Sequence, residues 1–254
     1  MEIDEDLVSA VIQISSPKIE RDSFQKNKED PIYGGQLSEF SVKDILEEAK
    51  VSIEYEFKQV VYDDGNVVQL KKPKVIINTL SYGDLDPETK FSIRIAQVMI
   101  GLGLIENISE TDILKLEDIE DLNNDGISGK ANYSWDLANN KISLGRFGWK
   151  ASQPSVLQQT ADAFYHDMGL SNRLYPKASN CSNLQKECLK SINGNSEIYD
   201  NFEVSNDQLD LVTFYSTQLG VPASRNQKKM DVISGKEIFY KVGCNSCHVE
   251  RHIT

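Results

Sequence analysis

The sequence predicts a mainly α-helical protein with a small β-hairpin or meander insertion. Residues 205–220, SNDQLDLVTFYSTQLG, place Leu209, Val212, Tyr215 and Leu219 on one stripe, with Leu211 and Phe214 beside it, as an amphipathic helix requires. Residues 155–165, SVLQQTADAFY, read as a further helix. Residues 51–58 alternate strictly instead: Val51, Ile53, Tyr55 and Phe57 on one face, Ser52, Glu54, Glu56 and Lys58 on the other.

In chain order, residues 1–35 are polar and irregular, ending in the turn-rich DPIYGGQ around Gly34 and Gly35. The half-buried strand from Val51 leads into Asp63, Asp64, Gly65 and Asn66, residues that suit a tight turn, and VVQL and KVIINTL read as return strands. Helical segments are expected next. IAQVMIGLGLIENI is apolar over most of its length, and DILKLEDIEDL carries Ile113, Leu114, Leu116, Ile119 and Leu122 at mixed helical spacing. NYSWDLANNKISLGRF reads as a hairpin, and Pro154 with Ser155 begins the helix after it. Ser205 or Asn206 caps the clearest helix, which Gly220 and Pro222 end. The linker VPASRNQKKM then precedes a last helix, SGKEIFYKVG, that delivers the chain into CNSCH.

A chain of 254 residues has room for one large or two medium domains. With 27 Lys plus Arg against 39 Asp plus Glu, its net charge of −12 repels phosphate backbones, which argues against nucleic acid as a partner. No stretch approaches the roughly 18 apolar residues of a membrane span.

The pentapeptide Cys244–His248 is a CxxCH motif. Two thiols one helical turn apart, followed at once by an imidazole, suit covalent haem: each Cys adds to one vinyl group and His248 binds the iron. Two other chemistries use a CxxC pair. Zinc needs two more ligands, and Cys181, Cys188, His166 and His252 supply no second CxxC. A dithiol redox motif opens a helix after a strand, whereas this one closes a helix whose Ile238, Phe239 and Val242 suit a flat ring. For a sixth iron ligand, Met230, Met168 and Met99 are formally available, although each such residue is more often packing filler.

DLNNDGISGKAN matches most of a calcium loop: Asp121, Asn123 and Asp125 at positions one, three and five, Gly126 at the sharp turn, and Ile127 at the carbonyl position. Position twelve departs from the pattern, with Asn132 replacing the bidentate Glu, unless Asp118 or Asp136 helps. The plainer reading is an Asx- and Gly-rich turn. Cys181 and Cys188 lie in the polar segment NCSNLQKEC, where a disulfide would stabilise by roughly 2–3 kcal/mol on the chain-entropy model. Trp149, in GRFGWKASQPS, is a candidate for a place between redox centres, and His166 in FYHDMG for an acid or base near peroxide. Both residue types are more often structural. Gln158 and Gln159 carry no signal of their own.

YGGQL, LSYGDLDPETKFS, MIGLGLIENI, DLNNDGISGKAN, LGRFGWKASQPSVLQQ, DMG, LDLVTFYSTQLGVPA and GKEIFYKVGCNSCHVERH occur in an order that resembles the di-haem oxidoreductase family. These are peroxidase-like proteins, also labelled thiol oxidoreductases, similar to bacterial di-haem cytochrome c peroxidases. The resemblance runs from about Asp30 to the last residue. It implies a cytochrome c-like fold, two haem c centres and export to the periplasm or beyond. Members carry one CxxCH before the YGGQ segment and a second after the long helix. The motif here matches the second, with Cys244 and Cys247 as thioether donors and His248 as axial ligand. His166 departs from the smaller residue more usual before the Asp.

The expected organisation is a partial first cytochrome c-like domain over 1–225 and the start of a second over 226–254. Since MEIDEDLVSAVIQISSPKIERD lacks a leader pattern and haem c is attached outside the cytoplasmic membrane, the chain reads as an internal segment of a longer exported protein. Its expected role is electron transfer with a small redox protein or quinol-linked donor, and peroxide reduction in the complete protein. A periplasmic cytochrome that only carries electrons is one alternative. A thiol–disulfide protein using Cys244 and Cys247 is the other.

Overall fold

The computed structural model describes residues 10–16 and 29–254. In chain order these form β1 (Ala10–Ser15), β2 (Gln36–Leu37), β3 (Ala49–Val61), β4 (Val67–Leu80), β5 (Lys90–Ile95), α1 (Leu102–Glu106), α2 (Glu110–Leu114), β6 (Tyr133–Asp136), β7 (Lys141–Leu144), α3 (Val156–His166), α4 (Lys186–Lys190), α5 (Asn206–Gln218) and α6 (Met230–Lys241). Helix makes up 24% and strand 25%, with three small antiparallel sheets among the described residues. The expectation of a mainly α, cytochrome c-like architecture is therefore incorrect.

Two causes account for the difference. Helices expected to be long are short: IAQVMIGLGLIENI is helical only over α1, which starts at left-handed Gly101 (φ 80°). DILKLEDIEDL is helical only within α2, and its remaining apolar residues Leu116, Ile119 and Leu122 are exposed, so mixed spacing yields no buried stripe. Strands were also missed. AVIQIS in β1 lies within the stretch read as irregular, with Ile12 and Ile14 buried, and KFSIRI forms β5. The rest of that early stretch, 1–9 and 17–28, lies outside the described residues.

The chain divides into two compact units. The first comprises the described residues up to Gln97 together with Phe164–Ser171 and Pro176–Glu203. Its sheet has the order β2-β1-β5, with Ile12 opposite Leu37 on one side and Ile93 on the other. Ile12, Ile14, Tyr33, Leu37 and Ala49 form the buried cluster, against which Val51, Val75, Ile77 and Leu80 from the base of the β3–β4 hairpin pack. The alternation from Val51 holds as far as Tyr55; beyond it the hairpin is largely exposed. VVQL and KVIINTL form one continuous strand, with Pro73 opposite Tyr55. At the tip, Tyr62 N–H donates to Asn66 O at 2.9 Å, Gly65 adopts φ 84°, and Asp64 accepts from the Asn66 backbone and side chain at 3.0 and 2.7 Å.

The second unit comprises Val98–Ala163, Asn172–Tyr175 and Val204–Thr254. α5 begins with a capping box in which the Ser205 hydroxyl accepts from Gln208 N–H and the Gln208 side chain accepts from Ser205 N–H. α1 crosses α5 so closely that a Cβ on Gly103 would stand 2.3 Å from Thr217 O, which explains a glycine inside a helix. The expected β6–β7 hairpin is present, with Tyr133 opposite Leu144 and Asp136 opposite Lys141.

Candidate functional site

α6 leads into the CxxCH pentapeptide. The helix begins at Met230, earlier than SGKEIFYKVG suggested, and is closed by Val242 N–H donating to Ile238 O at 2.9 Å. Gly243 then turns the chain at φ 81°, a left-handed conformation that glycine adopts without a Cβ penalty. Cys244–Ser246 form a 3-10 turn, and the Cys247 and His248 N–H groups both donate to Cys244 O, at 3.3 and 3.0 Å. One tight turn thus presents both sulfurs and the imidazole. Both cysteines are free thiols, Cys244 half-buried and Cys247 exposed.

The surroundings are apolar and open. α6 has no buried residue, and Ile238, Phe239 and Val242 are exposed, as are Val249 and Ile253 beyond the turn. The His248 ring lies 6.0 Å from Phe239, tilted by 56°. Two accessible thiols and an imidazole among uncovered apolar side chains fit haem c, whose flat ring would cover such surface at about 25 cal/mol per Å². Past the turn, Glu250 accepts from Lys236 Nζ at 2.6 Å and from the Tyr240 hydroxyl. The hydrogen bond and charge of Lys236 hold the Glu250 carboxyl below its ordinary range, and bonding to Glu250 raises both Lys236 and Tyr240. Among the described residues, no group of three or more His, Cys, Asp or Glu side chains could hold a metal ion.

The proposed calcium residues occupy one self-bonded loop. Asp121 accepts from the N–H groups of Asp125 and Gly126, both at 3.1 Å, Asn123 from Asp125 N–H at 2.9 Å, and Asp125 from Ile127 N–H at 2.8 Å. Asn132 is engaged elsewhere, its amide donating to Lys150 O and Ala151 O at 3.0 and 2.9 Å. Asp118 accepts from Leu122 N–H at 2.8 Å, and Asp136 serves the β6–β7 turn. Burial raises the Asp136 pKa, but hydrogen bonds from Asn139 and Ser143 outweigh it and leave a net lowering. Trp149 is exposed in the turn after Gly148, and His166 ends α3 with its ring edge-on to Tyr165 at 5.0 Å. Met230 opens α6, while Met99 and Met168 are exposed.

Cys181 and Cys188 form the expected disulfide, with Cα atoms 6.0 Å apart. The loop it closes holds Gln185, fully buried, whose Nε2 donates to Glu48 Oε1 and whose Oε1 accepts from Ser182 N–H at 2.8 Å. Burial raises the Glu48 pKa, a rise that hydrogen bonds from Gln185 and Ser38 N–H oppose. Cys181 and Cys188 will therefore resist alkylation until a reductant is added; ready labelling of both in the unreduced protein would contradict the pairing.

Sequence reasoning missed several structural anchors. Gln158, dismissed as uninformative, is buried and ties α3 to the β6–β7 hairpin: its Oε1 accepts from Leu137 N–H at 2.8 Å and its Nε2 donates to Trp135 O at 2.9 Å. Arg146 donates to Ile105 O and Ile108 O at 3.1 and 2.6 Å, satisfying carbonyls at the end of α1. Glu106 accepts from Val156 N–H at 2.8 Å, the first turn of α3. Only the MIGLGLIENI and LGRFGWKASQPSVLQQ segments of the resemblance touched these positions.

Comparison with known proteins joins these features. No curated protein and no solved structure matches the chain. The sequence model of one family, described as "Di-haem oxidoreductase, putative peroxidase", matches residues 34–254, from the second residue of YGGQ through the CxxCH turn to the end. The chain therefore belongs to the di-haem oxidoreductase family, whose cofactor is haem.

Proposed function

We propose that Cys244, Cys247 and His248 form a covalent haem c site and that the chain takes part in electron transfer. The observation that carries this reading is the single turn presenting two free thiols and an imidazole beside an uncovered apolar helix. Cys244 and Cys247 would hold the haem as thioethers, each S–H adding across one vinyl C=C so that sulfur bonds one carbon and the hydrogen goes to its neighbour, with no oxidant consumed. His248 would supply an imidazole nitrogen to the iron. When bound, the haem would supply one-electron redox chemistry, and the chain's own residues would attach and orient it.

Haem-dependent staining of a denaturing gel tests this after expression with export and the attachment machinery. Colour that survives boiling supports thioethers; a colourless band with two alkylatable thiols would favour the thiol–disulfide reading. Attachment of this type places the protein outside the cytoplasm, and no helix among the described residues is long and apolar enough to cross a membrane. Peroxide reduction is the fuller reading, with a small redox protein or quinol-linked donor as electron source. Haem that cycles between redox states without consuming peroxide would identify an electron carrier instead.

The loop holding Asp121, Asn123, Asp125 and Ile127 is a second proposed site, for calcium. Its backbone is already wrapped by hydrogen bonds from the N–H groups of three consecutive positions, Asp125, Gly126 and Ile127, so an ion would meet a preformed turn. Added calcium should raise the Tm of the wild type and leave Asp121→Ala with Asp125→Ala unchanged. An unmoved wild-type Tm would remove the site.

A further inference from the structure

We propose that Glu250 is a positioning residue: it straps the segment after the CxxCH turn onto α6 and thereby fixes the His248 imidazole. The proposal rests on the haem reading above. Lys236, Phe239 and Tyr240 stand at i, i+3 and i+4 of α6 and so share one face of the helix. The chain leaves this helix, makes the Cys244–Ser246 turn, and comes back to the same face twice. His248 returns to Phe239, with ring centres 6.0 Å apart. Glu250 returns to the two residues flanking it, taking Lys236 Nζ on Oε1 at 2.6 Å and the Tyr240 hydroxyl on Oε2 at 2.5 Å. The Lys236 ammonium also lies 5.9 Å from the Tyr240 ring centre.

An isolated exposed ion pair holds little. Here two donors, one of them charged, converge on both oxygens of a single carboxylate, and the loop they close spans only ten residues from Tyr240 to Glu250. The strap lies two residues beyond the imidazole, so its loss frees the ring that Phe239 alone would then restrain. Groups that orient a metal-bound histidine tune its iron, and in this chain the orientation comes from packing against Phe239 under the Glu250 clasp.

Comparison of wild type with Glu250→Ala and Glu250→Gln separates the possibilities, because both variants change only an exposed side chain. In the haem-free full chain, Glu250→Ala should speed amide hydrogen exchange at His248, whose N–H donates to Cys244 O, about fivefold, and Glu250→Gln, which keeps an acceptor oxygen, should recover part of the protection. In the exported, haem-loaded protein, Glu250→Ala should retain the stain but shift the electron-paramagnetic g-values that report axial imidazole orientation, with Glu250→Gln lying closer to wild type. Unchanged exchange overturns the proposal. Faster exchange with unmoved g-values also overturns it, since the clasp would then be structural only. A wild type that never stains defeats the haem reading itself, whereas a stained wild type with an indistinguishable Glu250→Ala defeats the strap alone.

Discussion

Serine at both Cys244 and Cys247 should abolish heat-stable haem staining, while the single variants should retain partial, weaker attachment through the remaining sulfur. Oxygen in place of sulfur leaves the turn intact, because the hydrogen bonds that shape it are made by backbone groups: Cys247 and His248 N–H to Cys244 O. Hydroxyl is a far weaker nucleophile than thiol and does not add to a vinyl group under these conditions. The variant therefore removes the attachment chemistry and keeps the local geometry. Neither cysteine contributes to a buried core, so thermal stability of the haem-free chain should be unaffected. Staining that persists in the double variant would place the attachment elsewhere.

Gly145→Ala should destabilise the protein on the order of 3 kcal/mol, lowering Tm by roughly 10 °C for a chain of this size. A Cβ built at Gly145 would stand 1.8 Å from Ala151 O, 2.8 Å from Ala151 C and 3.4 Å from Asn132 O. These are backbone atoms, which cannot swing aside as a side chain would. They are also pinned: Gly145 N–H donates to Asn132 O at 2.9 Å, the Asn132 amide holds Ala151 O at 2.9 Å, and Phe147 and Gln153 exchange N–H···O bonds at 3.0 and 3.1 Å. Accommodating one methyl group means moving that whole turn and Arg146, which serves the end of α1. Gly220→Ala is the control, because nothing lies within 4 Å of a Cβ there and its φ is ordinary. Equal melting temperatures for the two variants would contradict the packing described.

The contrast between these two sites shows which parts of the molecule can be read from sequence. The CxxCH turn, the Cys181–Cys188 bridge, the Asp63–Asn66 hairpin tip and the Ser205 cap are local: every residue needed lies within a dozen positions. β1 and β5 were not legible in the same way. Each is only six residues long, and they pair with each other across about eighty positions of chain, so neither carries a turn signal that names its partner. The helical reading failed where apolar residues are abundant but unstriped: around α1 and α2 the periodicity is mixed, and short helices stop after five residues. Gln158 and Gln185 were invisible for another reason. A glutamine looks the same in sequence on the surface or fully buried, and only the groups it meets, Leu137 N–H, Trp135 O and the Glu48 carboxylate, give it structural meaning.

For the site itself, the sequence supplied the donors, while the structure supplied their setting. Spacing alone leaves haem, zinc and a dithiol switch open. The exposed apolar faces of α6 and of the residues after His248 favour a large apolar group over an ion, and the Glu250 clasp explains why the chain continues against the helix after the motif.

The most direct test of the account is the mass of the tryptic peptide 242–251, VGCNSCHVER, from the exported protein. The account predicts a single species heavier than the bare peptide by one haem, refractory to thiol alkylation with or without reductant. A peptide of unmodified mass that takes up two alkyl groups after reduction would contradict covalent attachment at Cys244 and Cys247.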